Sequence, residues 1–431
     1  MFVPPFVSLN PPVAWPASIV ALQHRNFRLI WIGLLLSFSG SRMQNAALLW
    51  HVSLLVAPER KALALGFVGL VRVLPVVVFS MVSGVVADAM DRRRVLLITQ
   101  TASGLVALTL AWLTYRGLSV VWPIYVLSSI GAAVSSFDLP ARQALVPALV
   151  PREHLPNAIN LNSLLFQTAS VVGPAAAGFV IASTSIGAAY LYNALSFGFV
   201  IIALVMMRDI PERTPAPDGE KNEVSLAAAM EGVRFVFRSP LIRSTMLLDF
   251  FATFFASATA LLPIFAQDIL HVGARGYGWL FAAPAIGSFI ISVALVPSTQ
   301  YIKRRGAFIV WSVIGHGLAT IVFGMSHWFW LTFVCLAIVG ATDTVSTVLR
   351  NIIRQLETPD RLRGRMTGIN MVFFMGGPQL GELEAGAVAN AFGAPFSVIT
   401  GGIGCLIATV WVAATTPRLR HYTAEDPASS N

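Results

Sequence analysis

The chain reads as an all-α membrane protein: twelve transmembrane helices in two pseudo-symmetric six-helix bundles. Three features point there. Of 431 residues, 56% are hydrophobic and only 11% charged, at a mean hydropathy of +0.74, and a water-soluble globule of this size needs far more polar surface. A soluble enzyme is thereby excluded. The apolar runs have the length of spanning helices, about 20 residues each, and charged turns separate them, whereas a transmembrane barrel alternates apolar and polar residues over roughly ten-residue segments. Third, the two halves of the chain carry matching residues at a fixed offset.

Taken in order, residues 1–26 are Pro-rich with no Lys or Arg ahead of a weakly apolar stretch, unlike a cleavable signal, and are expected to stay attached as a cytoplasmic segment. Six apolar stretches of spanning length follow at 27–52, 63–86, 95–115, 120–139, 158–182 and 186–207, forming the first bundle over 27–207. Residues 208–240 are a cytoplasmic linker, polar at first and then, over 224–238, a short amphipathic helix at the membrane surface. The second bundle, 241–414, has its stretches at 241–265, 277–296, 307–325, 328–349, 366–392 and 395–414, and 415–431 is a cytoplasmic tail. Of 29 Lys and Arg, only Arg60, Lys61, Arg116 and Arg275 fall on the side away from the termini, and Arg42 and Arg72 lie deep in spans. By the positive-inside rule both termini face the cytoplasm of a cell with this protein in its inner membrane. The net charge of +9 is thus an orienting device rather than a nucleic-acid surface. Cys335 and Cys405 sit inside apolar runs and behave as small hydrophobes, so no disulfide framework, metal set or cofactor is expected.

Arg142, Pro151, Asn162, Gly173 and Gly178 recur as Arg350, Pro359, Asn370, Gly381 and Gly386, each pair 208 positions apart. All fall on the connection after the fourth or tenth span and the helix that follows it. A duplicated six-helix unit explains that, and parallel repeats of this kind characterise secondary transporters.

Between spans two and three the chain reads Gly84-Val-Val-Ala-Asp88-Ala-Met-Asp-Arg92-Arg93-Arg94, which resembles the major facilitator signature G-x-x-x-D-[RK]-x-G-R-[RK], with Ala89 and Asp91 as departures. Phe137-Asp138-Leu-Pro140-Ala-Arg142, Asn157-Ala-Ile-Asn160-Leu-Asn162, Gly173-Pro174 and Leu380-Gly-Glu382-Leu-Glu384-Ala-Gly386 resemble the enterobactin-exporter-like branch of that superfamily, which includes macrolide efflux pumps. The resemblance runs from Arg25 to about Arg420 and implies the major facilitator fold and a proton-driven exporter. It leaves the cargo open. Relatives carry an acid after the Gly of span one and an Arg on span five, where this chain has Ser41 and Ser170.

The resemblance implies that Asp88 faces the start of span eleven and that Arg92 or Arg93 reaches Asp138, a conformational latch between the halves. It also sets spans two and eleven together, so that Arg72 pairs with Glu382 or Glu384 as an outer gate. Ionisable side chains within spans are costly, by roughly 2.5–3.5 kcal/mol each, and default to function. Spans one, four, seven and ten line the cavity in this fold. Asp249, set among the phenylalanines of span seven, is the first candidate for proton coupling, because a carboxylate in so apolar a setting is what a proton carrier needs; Asp343 is the second. Arg42, with Phe250, Phe254 and Trp31 as an aromatic wall, is the candidate substrate site. His51 and His316 are lone histidines on apolar stretches and receive no role.

Gly173-Pro174-Ala-Ala-Ala-Gly178 resembles the antiporter motif G-P-x-x-G-G and favours export. No phosphate-binding loop, metal cluster or nucleophile triad is present, so an ion gradient must drive any active transport. The expected molecule is a monomer in the lipid bilayer that exchanges protons for a small amphipathic compound, siderophore-like or a drug, by alternating access. Alternatives are an importer or facilitator, or a membrane receptor or scaffold without transport.

Overall fold

The computed structural model describes residues 16–208, 226–298 and 302–423 and contains no strand among them. The helices are α1 (Arg25–Leu55), α2 (Pro58–Ala89), α3 (Arg92–Tyr115), α4 (Trp122–Leu145), α5 (Leu155–Ser183), α6 (Ile186–Met206), α7 (Leu226–Arg238), α8 (Pro240–Phe255), α9 (Leu262–Ile264), α10 (Gly273–Ser298), α11 (Arg305–Met325), α12 (Phe329–Glu357), α13 (Asp360–Phe392), α14 (Ala394–Thr415) and α15 (Pro417–His421). Ten stretches among the described residues are long and apolar enough to cross a membrane, which makes this a multi-pass membrane protein. α1 and α13 have the length, 31 and 33 residues, but are less apolar. Arg42, Gln44 and Asn45 interrupt α1, and Gln379, Glu382 and Glu384 interrupt α13.

Local chemistry sets the boundaries. Asp91, the departure from Gly in the signature, is the N-cap of α3: its side chain accepts from the backbone N–H groups of Arg93 (2.8 Å) and Arg94 (3.1 Å). Ser185 caps α6 in the same way through the Ala188 N–H. Between α13 and α14 the chain turns at Gly393, whose φ of +93° excludes most side chains. The predicted amphipathic helix is α7, packed on α8 and α13 through Val236; the polar part of the linker, residues 1–15 and the end of the tail lie outside the described residues.

One predicted span is not continuous. Residues 241–265 were expected as a single helix, but α8 stops at Phe255. The chain then passes through a 3-10 turn, Ala258–Leu261, the single turn of α9, and a π-helical turn, Phe265–Ile269. The helix ends where Ala256 and Ser257 leave the helical region (ψ +23° and +52°), and Pro263 sits in the first turn of α9, where a proline is tolerated.

α1 packs on α5 and α6, α2 on α4, and α3 on α4 and α6; α8 likewise packs on α13 and α14, α10 on α12, and α11 on α12 and α14. The most extensive contacts joining these sets are α2 with α13 and α5 with α10. The described chain begins beside the end of α6 and ends beside the start of α11, and the end of each set of helices so marked is the terminal face. There the Asn26 side chain donates to the Arg208 carbonyl (2.6 Å), and the Tyr422 carbonyl accepts from the Gly306 N–H (3.2 Å). Near the opposite end, the far face, one apolar core joins both sets of helices, from Leu48, Val52 and Leu65 to Leu262, Phe265 and Leu280. Toward the terminal face the core divides. Phe27, Ile30, Leu96, Leu145 and Leu204 form one part, and Leu241, Leu248, Ile309, Leu349 and Leu419 form another.

The segment before α1 is docked by Asn157, which accepts from the Ala21 N–H (2.9 Å) and donates to the Ser18 carbonyl (2.8 Å), and by a His24–His154 contact of 2.9 Å. Burial, then His154, holds the His24 imidazole below its usual range, against a smaller opposing pull from Glu153. The docked state therefore favours neutral His24. Its contribution is present above the ordinary histidine value of about 6.5 and is lost as pH falls through the lowered one. Protection from hydrogen exchange over residues 17–24 is expected to fall as the pH drops below about 6.5, and less steeply in His154→Gln than in the wild type; an equal loss in both would refute this.

Candidate functional site

Charged side chains buried among helices are the features least explained by packing, and they cluster on α8 and α12. Asp249 is 2% exposed, Arg350 0% and Arg354 2%. Arg350 Nη2 donates to Asp249 Oδ1 at 2.7 Å and to Thr347 Oγ1 at 2.9 Å, and Arg354 Nη1 stands 3.9 Å from Asp249 Oδ2. Four residues apart, the two arginines lie on one face of α12 and share one carboxylate. Asp249 is therefore not the carboxylate in an apolar setting that the sequence suggested. Its aromatic neighbours lie along α8, while α12 supplies two cations from across the contact. Asp343, on the same helix, has a side chain 41% exposed and stands 3.9 Å from Arg350 Nη2.

The earlier half carries a counterpart. Arg142 pairs with Asp138 one turn before it, and Asp138 Oδ1 accepts from Thr99 Oγ1 (3.0 Å) and Gln100 Nε2 (2.6 Å). Arg142 also lies 4.2 Å over the Phe38 ring. The expected partner of Asp138 differs: Arg93 donates to the Val205 carbonyl (3.2 Å) instead. The helix supplies a cation nearer at hand, because Arg142 lies one turn from Asp138 and on the same face. Arg92 lies in the first turn of α3, and the side chain of Asp88 is outside the described residues.

Arg42 and Asp343 stand at similar depth. Arg42 precedes the end of α1 at Leu55, and Asp343 follows the start of α12 at Phe329, by about 20 Å of helix each. Both are accessible. A charge exposed to hydrocarbon at that depth is costly, so their exposure marks water-lined interior space. Phe250 and Phe254, stacked at 5.5 Å, are half-buried, and Phe373 meets Phe250 edge-on at 6.1 Å. Trp31 does not line such a space: its Nε1 donates to the Leu161 carbonyl (3.0 Å) and its ring packs on the terminal-side core.

The far face is shut by close helix crossings. A Cβ on Gly178 of α5 would lie 2.8 Å from Gly278 Cα of α10, and one on Gly386 of α13 would lie 2.7 Å from Gly66 Cα of α2. Backbones meet there because neither residue has a side chain. Around these crossings Lys61 Nζ pairs with Asp268 Oδ2 (2.9 Å), Gln267 Nε2 donates to Ser53 Oγ (2.7 Å) and Tyr277 Oη donates to the Ala46 carbonyl (2.8 Å). Arg72 pairs with neither glutamate; it donates to Asn45 Oδ1 on α1. Glu382 rests against Gly69, one turn from Arg72, and acts on it electrostatically rather than as a bonded pair. Glu384, two residues on, points round the helix and is half-buried.

Arg350, Arg354, Lys61 and Asp268 were missed as site residues because position alone made them orienting charges at helix ends. One signal was available: Arg142 and Arg350 are the basic pair in the repeat, and both proved to be paired with aspartate, Arg350 fully buried and Arg142 largely so.

The profile of the transmembrane secretion effector family matches residues 17–431. The enterobactin exporter EntS of Escherichia coli (strain K12) is 28% identical over 378 residues, covering 88% of this chain and 86% of its own. The enterobactin exporter EntS of Shigella boydii serotype 18 matches with the same identity and coverage. A bacterial homologue of the human lysosomal transporter Spinster, solved inward-facing and unoccupied, superposes with a TM-score of 0.71 at 14% identity, over 94% of this chain and 99% of its own. An inward-facing bacterial homologue of the iron transporter ferroportin gives 0.67 at 15% identity, over 90% and 99%. At those identities the two structures speak for the fold.

Proposed function

The chain belongs to the transmembrane secretion effector family of the major facilitator superfamily, a family of transporters rather than enzymes, and we propose on that premise that it is an exporter. It expels a small amphipathic compound, siderophore-like or a drug, in exchange for protons. It does so by alternating access as a monomer of twelve spans in the inner membrane, with both termini cytoplasmic. Residues 27–207 and 241–414 are the two six-helix bundles, and α1 and α13 are the two least apolar spans. The repeated pairing order of the helices supports that division.

The observation that carries the reading is the asymmetry between the two ends: a shared core with backbone-tight crossings at the far face, and divided cores toward the terminal face. That is the shape of an inward-open state, and export starts from it. Arg42 offers a cation to an anionic group of the cargo, with Phe250 and Phe254 as apolar support. Asp343, the accessible acid, exchanges protons with water, and Asp249 is linked to it through Arg350. Asp88 with Arg92 and Arg93 closes the cytoplasmic side in the opposite state, beside the Asp138–Arg142 pair. At the outer side Arg72, Glu382 and Glu384 serve the gate as a charged layer behind Lys61 and Asp268.

A growth-inhibition panel comparing cells with and without the protein supplies candidate compounds. In vesicles carrying a pH-sensitive dye and the purified protein, adding a compound from that panel is expected to drive proton movement opposite to the compound. Arg42→Gln is expected to weaken transport at least tenfold for anionic compounds and much less for neutral ones. Compound movement without proton movement would refute proton coupling.

A further inference from the structure

His316 lies on α11, is 6% exposed, and neither ring nitrogen has a hydrogen-bond partner. A neutral imidazole has one donor and one acceptor, and leaving both unmet in the interior is unfavourable. Such a group persists where it does something besides packing. By contrast, His51 is satisfied, with Nδ1 3.2 Å from the Tyr190 hydroxyl.

The surroundings of His316 are specific. α12 packs there, with Thr342 Cγ2 standing 3.3 Å from where a Cβ on Gly315 would lie, and it contributes Asp343 and Arg350, the two charges that act on the ring. α14 contributes the thiol of Cys405, which contacts α11 at the Val313 carbonyl. α8 contributes Asp249, beyond Arg350 and already paired with it. On α11 itself the nearest charge is Arg305, three helical turns away. Asp343 is the member of this group open to water.

Resting on the proton-exchange reading above, we propose that His316 is the inner seat of the coupled proton, filled from Asp343. Water in the cleft protonates the Asp343 carboxylate. Because neither ring nitrogen is bonded to Asp343, the proton passes through an intervening water: the carboxyl O–H bond breaks, an N–H bond forms on the imidazole and the water is regenerated, which returns Asp343 to carboxylate and makes His316 a cation. Arg350 stays charged throughout. It has two carboxylates in reach, at 2.7 and 3.9 Å, and a proton on Asp343 leaves it to Asp249 alone. Histidine suits the task, because its charge changes between about pH 5 and pH 8.

Nitrogen-15 NMR of histidine-labelled full-length protein in lipid nanodiscs reads the protonation of each ring nitrogen with no substrate present. The signal lost in His316→Gln is expected to pass from one protonated nitrogen to two as the pH is lowered. In Asp343→Asn, which keeps the histidine, its midpoint is expected to fall by about one pH unit, a tenfold change in proton affinity. A His316 signal that stays in one form down to the lowest pH at which the protein remains folded, or a midpoint indifferent to Asp343→Asn, overturns the proposal. Coupled proton flux in the vesicles with a silent imidazole removes His316 alone. A titrating imidazole without such flux removes the proton-exchange reading.

Discussion

Asp249→Asn is expected to lower stability by about 3–5 kcal/mol, the usual cost of stranding one side of a buried ion pair. The carboxylate balances Arg350 and Arg354, which are 0% and 2% exposed and have no route to water without moving α12. Thermal unfolding in detergent reads the loss directly. Because removing both partners of a buried pair is far milder than removing one, Asp249→Asn with Arg350→Met is expected to recover most of it. A single variant as stable as the wild type would show that the cluster is not a brace. It follows that loss of transport in Asp249→Asn says little about coupling, and Asp343→Asn is the cleaner test.

Gly178→Leu is expected to abolish transport, by at least a hundredfold, while leaving the protein folded. A Cβ at that position meets the Ala274 carbonyl oxygen at 2.6 Å and Gly278 Cα at 2.8 Å. Backbone cannot yield as a flexible side chain does, so α5 and α10 must part. The far face then stays open, and a thiol reagent that cannot cross the membrane should label Cys-substituted positions beside the crossing faster than in the wild type. Gly198→Leu serves as the control, since no heavy atom lies within 4 Å of its Cβ position. Transport by Gly178→Leu at the wild-type rate would mean that the crossing does not gate.

The spanning helices were legible because each is a run of apolar residues bounded by charge, a pattern that is local; ten such stretches stand among the described residues. The interruption after Phe255 was not read, because the apolar run from 241 to 265 continues through it. The charged residues were read less well. Depth along a helix follows from counting residues, whereas the partner of a charge depends on which neighbouring helix faces it, and no periodicity encodes that. Arg72 shows the limit: its side chain bonds Asn45 on α1, while Glu382 on α13 acts on it without a bond. Asp249 shows it again, since the arginines that hold it come from α12, 101 and 105 positions later. The close crossings were visible only as small residues on α5 and α10, and sequence gave no way to pair Gly178 with Gly278.

Spin labels at positions 57 and 271 on the far face, and at 153 and 304 on the terminal face, report both ends of the molecule when Cys335 and Cys405 are replaced. Pulsed electron-paramagnetic-resonance distances are expected to be short at 57–271 and long at 153–304 in the resting protein. When a transported compound and a pH gradient are applied, a second population with the order reversed is expected in both pairs. Distances that stay fixed at both faces while the compound is being transported would contradict alternation between two bundles.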